Sequence, residues 1–433
     1  MKIKYSIGIL CFTLFGLGAC LDDQSSLGDR ELSEITISAP HDTLTAYFGE
    51  EFVVSDLSVE QLGDELPLAY EWSYGTLNTD ENGMASYPIK DSLHIVSHDP
   101  ELKYAFRELG TFGLRLRVDN GETIRYKYFV LQVDTEFSEG ITILSRDGDG
   151  KGRISFMRTL TKEEINTGKV PTFQTDIMEL INPQTKMEDV TDMVQVNNRL
   201  LVCSGEEGRI YNMDSRTFDI EGMTSFKELY PGCAFVKFAG VSANNNIYLV
   251  SRDRRGYGYD YVLDELVLTE YFKDLDVDAA VSVDRPVFVN YETSVFYSPS
   301  LGGVTSSLNR YVDFNIWGIC AVGSSVYVMA TYKVMPSYIY LSQTTFSLGN
   351  PTILQFYDSL VSLKVNRNSL FAGSKSYSCL YYTCEDGIYY WDLKKQLSTT
   401  PVISIPVGME ITSLSMNPDG TLLYVGLHEK EGT

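Results

Sequence analysis

Three residue types that often carry chemistry are scarce in this sequence. Its 433 residues include 7 Cys, 4 His and 3 Trp. His94 and His98 are the histidines closest in sequence, and in a strand they would lie about 13 Å apart, too far to share one zinc ion. The cysteines and histidines form no nucleophile signature, and no G-x-S-x-G, P-loop or H-E-x-x-H motif is present. We therefore expect neither a metal nor a cofactor.

Basic residues are also few relative to acidic ones. The sequence holds 35 Lys and Arg against 58 Asp and Glu, a net charge of −23. A chain of this charge repels polyanions, so nucleic acid is not an expected partner. Segments with a sustained 3.6-residue apolar period are rare, whereas the 29 Tyr belong to a residue type that favours pleated, half-buried surfaces. The composition predicts an all-β fold, and the length predicts two domains.

The apolar run at the N-terminus, Ile7–Leu17, is too short to span a bilayer core of about 30 Å as a helix. With Lys2 and Lys4 before it, the run is typical of a secretory signal. The residues that follow, Leu17-Gly18-Ala19-Cys20, resemble a bacterial lipobox. That resemblance implies cleavage after residue 19 and acylation of Cys20, which would anchor the chain stably in a membrane. The alternative is an ordinary signal peptide followed by a chance cysteine.

Two acidic residues, Asp22 and Asp23, come soon after this cysteine. Their position resembles the surface-export signal of Bacteroidetes lipoproteins. The resemblance implies an outer-membrane protein that faces the cell exterior, and the alternative is a lipoprotein that faces the periplasm. We assign residues 1–19 to the signal peptide and residues 20–32 to a polar tether.

Residues 33–135 predict a separate β-sandwich. Trp72 lies in the middle of a predicted strand, where a large ring can fill the space between two sheets. Leu114, Leu116 and Val118 alternate with arginines, the period of a half-buried strand, and Asn120-Gly121 is a strong hairpin turn. The tryptophan strand, the Gly-Thr-Phe entry to the next strand and the Asp-Asn-Gly turn resemble PKD domains, an immunoglobulin-like class.

A repeated pair of strands dominates residues 138–433. The repeats are anchored on the residues Ile141, Leu200, Ile247, Val287, Val326, Leu380 and Leu422. Their spacing is close to the roughly 40–50 residues of a four-stranded propeller blade. We predict a seven-bladed β-propeller, with six or eight blades, a pair of sandwiches or several domains as alternatives. No returning strand follows Leu422, so either another segment completes this unit or the sequence stops short of the native terminus.

Candidate ligand-binding residues are few. The segment from Asp147 to Gly152 suggests a calcium loop, but Lys151 and Arg158 stand where an EF-hand needs oxygen ligands. Tyr257 and Tyr259 lie in a Gly-rich charged segment and could offer exposed rings to a sugar or peptide. The alternative is a long hairpin with Tyr259 and Tyr261 packed inward. Trp317 is a third candidate, with a place in the core as its alternative.

The order of lipobox, PKD-like sandwich and propeller-like repeats resembles the PKD-like family lipoproteins of the Bacteroidetes. This resemblance implies a non-catalytic role in capturing or presenting a nutrient polymer, glycan or peptide, beside a TonB-dependent importer. The alternatives are a propeller hydrolase or lyase and a structural spacer. A catalytic role requires convergent acids or a metal at the mouth of the propeller axis, whereas a binding role requires an exposed aromatic surface.

Overall fold

The computed structural model describes residues 32–79, 85–86, 93–206, 208–241, 247–267, 276–283, 285–299, 305–308, 311–344, 352–358, 365–394, 398 and 400–430. The predicted signal peptide, Cys20, Asp22 and Asp23 lie outside these residues. Strands dominate the described chain and confirm the all-β prediction. None of its helices is long and apolar enough to cross a membrane. The chain divides into two compact units, Met1–Glu136 and Phe137–Thr433, and the division falls between the ranges 33–135 and 138–433 that the sequence assigns to separate domains.

The N-terminal unit is built from short strands. These are β1 (Glu34–Ser38), β2 (Thr43–Tyr47), β3 (Glu51–Val54), β4 (Ser58–Leu62), β5 (Ala69–Thr76), β6 (Asn78–Thr79), β7 (Ala85–Ser86), β8 (His94–Ser97), β9 (Leu102–Ala105), β10 (Gly110–Asp119) and β11 (Ile124–Asp134). The main sheet has the order β2-β11-β10-β5-β8, and β1–β4, β3–β9 and β6–β7 form pairs. Strand β2 runs parallel to β11, whereas the other neighbours are antiparallel.

The core of this unit lies between the five-stranded sheet and the short pairs that contain β1, β3 and β9. Trp72 is fully buried, stacks on Phe129 at a centroid distance of 6.1 Å, and donates its indole N–H to the Asp99 carbonyl at 3.1 Å. The predicted alternation in β10 is confirmed, because Leu114, Leu116 and Val118 are fully buried. The predicted hairpin turn is also confirmed, and Gly121 has the positive φ of 85° that such a turn requires.

The C-terminal unit consists almost entirely of strands. They are β12 (Gly140–Arg146), β13 (Gly152–Arg158), β14 (Val190–Val196), β15 (Arg199–Ser204), β16 (Arg209–Asp214), β17 (Ile220–Ser225), β18 (Phe235–Val241), β19 (Ile247–Ser251), β20 (Gly256–Asp260), β21 (Glu265–Val267), β22 (Ala279–Ser282), β23 (Pro286–Asn290), β24 (Val295–Pro299), β25 (Thr305–Leu308), β26 (Phe314–Val322), β27 (Ser325–Tyr332), β28 (Met335–Thr344), β29 (Thr352–Asp358), β30 (Phe371–Ser374), β31 (Cys379–Cys384), β32 (Gly387–Asp392), β33 (Ile403–Ser404), β34 (Met409–Met416) and β35 (Leu423–Glu429). Two short helices, α1 (Lys162–Asn166) and α2 (Ile177–Ile181), complete the described part of the unit.

Within the described residues these strands form seven consecutive antiparallel sheets, each made of strands adjacent in sequence. The first sheet is β12–β13, the next five have four strands each, and the seventh is β34–β35. Their number matches the seven repeats that the sequence predicts. Six of the seven anchor residues lie in strands, and Leu422 immediately precedes one. The first strand of each sheet contacts the first strand of the following sheet.

Neighbouring sheets pack face to face through separate apolar cores. Five such cores lie between the first six sheets, in chain order. Strand β15 contributes side chains to two of these cores. Leu200 and Val202 face the first sheet, whereas Leu201 and Cys203 face the third. A sheet covered on both faces needs apolar residues at consecutive positions, which accounts for the unbroken apolar run of β15.

The seventh sheet is less covered than the others. Tyr424 and Leu427 on β35 are 38% and 42% exposed, and Leu422 before it is 56% exposed. Strand β35 pairs with β34, and the described residues provide no further strand in this sheet.

Candidate functional site

The structure corrects the prediction that Tyr257 and Tyr259 belong to an exposed loop. Both lie on β20, and each ring is only 3% exposed. Tyr257 packs edge-on against Phe235 at 5.7 Å, and Tyr259 donates its hydroxyl to the Asp264 carboxylate at 2.6 Å. Burial raises the pKa of Tyr257 to about 12. The alternative weighed for Tyr259, inward packing, is therefore the arrangement found.

Gly256, which precedes these tyrosines on β20, is required by packing. A side-chain carbon at Gly256 would lie 2.9 Å from the ring of Phe288 in the next sheet. The glycine therefore allows close approach of two sheets, whereas the sequence suggested a flexible loop. Trp317, on β26, is half-buried and donates its indole N–H to the Thr331 hydroxyl at 3.2 Å. It does not form an exposed aromatic surface together with the two tyrosines.

The first strands of the sheets each have one edge without a strand partner in the sheet. Side chains from the neighbouring first strand bind this edge. The Thr191 hydroxyl donates to the Phe235 carbonyl at 3.0 Å, and the Phe238 N–H donates to the Asp192 carboxylate at 2.9 Å. The hydroxyl of Ser282 likewise donates to the carbonyl of Gly240 at 3.2 Å. These bonds satisfy backbone groups that no strand pairs.

Asp192 is a carboxylate on this edge, and its surroundings change its pKa. Burial raises its pKa, while Lys237 and the Phe238 N–H oppose the rise. Lys237, on the third sheet, also opposes the rise in the pKa of Cys320 on the fifth sheet. Hydrolysis of a glycosidic bond generally uses two carboxyl groups at a defined separation. Among the described residues, Asp192 is the one carboxylate whose pKa is clearly raised, and no three His, Cys, Asp or Glu side chains group as metal ligands.

The raised pKa of Asp192 predicts a pH-dependent stability. A raised carboxyl pKa means that the fold favours the protonated form. Ionisation of Asp192 therefore lowers the free energy of unfolding. This loss is absent below the ordinary pKa of about 4 and grows as pH rises through the raised value. Asp192→Asn keeps an oxygen acceptor for the Phe238 N–H and carries no charge. We expect this variant to unfold at a higher temperature than the parent at pH 7 and at the same temperature near pH 4. Thermal unfolding between pH 4 and 8 measures the difference, and a pH-independent difference would contradict it.

Five cysteines lie in the described chain, and all are buried and form no disulfide with one another: Cys203, Cys233, Cys320, Cys379 and Cys384. Burial raises the pKa of the Cys233 thiol to about 11 and that of Cys320 to about 12. A nucleophilic cysteine needs a lowered pKa and access to substrate. The thiols of Cys233 and Cys320 have the opposite properties and act as small apolar side chains.

A partly exposed aromatic surface occurs on the sixth sheet. Tyr381 of β31 and Tyr390 of β32 are cross-strand neighbours with ring centroids 5.4 Å apart. Both are half-buried, and Tyr377 in the preceding turn is 60% exposed. We call Tyr377, Tyr381 and Tyr390 the tyrosine face. The opposite side of the same strands carries Leu380 and Trp391, which are buried against the fifth sheet.

The tyrosine face was not predicted from the sequence, although a signal was present. Tyr377 and Tyr381 are four residues apart around Cys379, so the strand period places them on one side. Tyr390 follows the Glu385-Asp386-Gly387 turn, which predicts a hairpin that brings it opposite Tyr381. The adjacent Tyr382, Tyr389 and Trp391 obscured this pattern, because aromatic residues occupy both sides of the strands.

Comparison with known proteins gives structural likenesses but no family. No family model matches the sequence, and no curated protein matches it. A quinonprotein alcohol dehydrogenase-like protein from Bacteroides thetaiotaomicron is 13% identical, with 93% of this chain and 92% of that chain covered and a TM-score of 0.46. A streptogramin B lyase is 12% identical, with 67% and 91% covered and a TM-score of 0.44. The Swd1 β-propeller domain of Myceliophteria thermophila is 10% identical, with 66% and 93% covered and a TM-score of 0.45. None of these likenesses decides the fold or activity of this chain.

Proposed function

We propose that this protein is an outer-membrane surface lipoprotein that binds a nutrient polymer without cleaving it, beside a TonB-dependent importer. In this proposal Cys20 carries the lipid, and the N-terminal unit is a PKD-like, immunoglobulin-like sandwich. The C-terminal unit is a seven-bladed β-propeller whose blades are the seven sheets. The face-to-face cores and the contacts between successive first strands support the propeller. The two layers around Trp72 support the sandwich.

The tyrosine face is the observation that carries the binding role. Each tyrosine ring offers a flat apolar surface with a polar hydroxyl at its tip, which suits the apolar face and the hydroxyl groups of a sugar ring. Tyr381 and Tyr390 are held by a paired hairpin, so ligand binding would immobilise few side-chain torsions. Glycan is therefore the favoured polymer, and peptide is the alternative.

Binding to a panel of neutral and acidic polysaccharides and of peptides tests the proposal. We expect the double variant Tyr381→Ala, Tyr390→Ala to bind its polymer about tenfold more weakly, since each stacking contact contributes about 0.5–1.5 kcal/mol. The matched control is Tyr126→Ala, which removes a 46% exposed tyrosine from the N-terminal unit and should leave affinity unchanged. Affinity electrophoresis measures both, and circular dichroism checks folding.

Three outcomes of that experiment would overturn the proposal. One is a parent protein that binds no polymer of the panel, and another is a double variant that binds as tightly as the parent. The third is release of shorter fragments from the polymer, which would indicate the hydrolase or lyase alternative.

A further inference from the structure

A hollow with two lysines lies between the fifth and sixth sheets. Its volume is about 320 Å³. The fifth sheet contributes Tyr327 and Gln343, and the sixth contributes Lys375, Ser378 and Lys394. Ligand pockets in proteins begin at about this size, and a cavity of this volume can hold roughly one sugar ring.

The charge of the hollow is opposite to that of the whole chain, whose net charge is −23. Lys375 and Lys394 are both exposed, and neither forms an ion pair with a carboxylate of the described residues. The nearby Asp392 is engaged by the backbone N–H of Lys394 at 2.8 Å. Two such ammonium groups at one cavity favour an anionic group as ligand, because charge-assisted hydrogen bonds are stronger than hydrogen bonds between neutral groups.

The backbone that carries these lysines is held in place. The N–H of Leu393 donates to the carbonyl of Ser378 at 3.1 Å and joins the two loops of the sixth sheet. The N–H of Tyr377 donates to the Ser374 hydroxyl at 3.1 Å within the turn that contains Lys375. A preformed site loses less conformational freedom when a ligand binds.

Neutral groups complete the hollow. Tyr327, Gln343 and Ser378 offer a hydroxyl, an amide and a second hydroxyl, while Val322 and Leu393 add apolar surface. The amide nitrogen of Gln343 donates to the Ser325 hydroxyl at 2.8 Å, which fixes that side chain. A sugar acid matches this combination with its carboxylate, its ring hydroxyls and its apolar C–H groups. An aspartate or glutamate of a peptide has the carboxylate but no ring hydroxyls.

We propose that this hollow binds a uronic acid residue of an acidic polysaccharide. The inference rests on the proposed binding function and names its ligand class. Lys375 and Ser378 belong to the turn between β30 and β31, and Lys394 follows β32, so the two lysines lie at the same end of the sixth sheet. The lysines bind the carboxylate, and the polar groups of Tyr327, Gln343 and Ser378 bind the ring hydroxyls.

Calorimetry with defined oligosaccharides tests this assignment on the full chain. The probes are trisaccharides of galacturonate, glucuronate and mannuronate, together with the carboxyl-reduced form of each. We expect the parent to bind at least one uronate trisaccharide and to bind its reduced form at least about tenfold more weakly. Lys375→Gln with Lys394→Gln should remove that preference, whereas the corresponding Arg variants should retain it. Added salt should weaken only the uronate binding.

The control changes the net charge equally at a distance. Lys162→Gln with Lys186→Gln alters two exposed lysines outside the hollow and should preserve the preference. A parent that binds none of the uronates, or binds reduced forms equally well, overturns the uronate assignment. If neutral glycans still bind through the tyrosine face in that case, the proposed function stands. Equal competition by a poly-glutamate peptide would replace the uronic acid with an acidic peptide and also overturn the assignment.

Discussion

Replacing Trp72 with alanine is expected to lower the free energy of unfolding of the N-terminal unit by about 3–5 kcal/mol. The side chain is fully buried, so its removal leaves a large cavity beside Phe129. It also removes the indole donor to the Asp99 carbonyl. The free energy of unfolding of a domain is roughly 5–15 kcal/mol in total, so this single change would remove much of the stability of the unit.

Scanning calorimetry of the full chain measures this effect. Because each unit has its own core, we expect the transition of the N-terminal unit to move to lower temperature and that of the C-terminal unit to stay in place. The matched control is Tyr47→Ala, at a 47% exposed position of the same unit, where we expect a change within about 0.5 kcal/mol. A single transition that moves as a whole would mean that the chain unfolds as one cooperative unit.

Cys20→Ala is expected to remove the protein from the outer-membrane fraction. Acyl chains each contribute about 0.8 kcal/mol per buried methylene, so their loss changes membrane partitioning by many orders of magnitude. Cell fractionation with metabolic fatty-acid labelling measures the change. The matched control, Asp22→Asn with Asp23→Asn, removes the adjacent charges but keeps the cysteine, and it should stay acylated and membrane-bound. Unchanged membrane retention of Cys20→Ala, without label on the parent protein, would rule out the lipid anchor.

Local sequence patterns predicted much of the fold. The alternation of Leu114, Leu116 and Val118 identified β10, because a strand buried on one side needs an apolar residue at every second position. The Asn120-Gly121 turn then set the register of β10 against β11. Regular spacing of the anchors identified seven sheets, because each repeat forms one supersecondary unit. These features depend on neighbours in sequence.

The candidate sites depend instead on neighbours in space, which the sequence does not reveal. The glycines around Tyr257 suggested an exposed segment. In the structure Gly256 instead lets Phe288 of the next sheet pack close to the backbone. To predict the tyrosine face and the hollow, one must know which side of a strand packs against a neighbouring sheet. Aromatic residues on both sides of the strand hide this information. Asp192 follows an irregularity in the pairing of β14 with β15, which changes the register of the side chains around it.

The burial of five thiols has a consequence for how the C-terminal unit would fail. While it is folded, an oxidising environment meets none of these cysteines as a reactive thiolate. Unfolding exposes all five at once, and an odd number cannot be matched completely within this unit. Oxidation of the opened chain then joins cysteines that are apart in the native sheets, or cysteines of different molecules, and so prevents refolding. In an oxidising environment the lifetime of this unit is therefore governed by the rate at which it first opens, and less by the equilibrium between folded and unfolded forms.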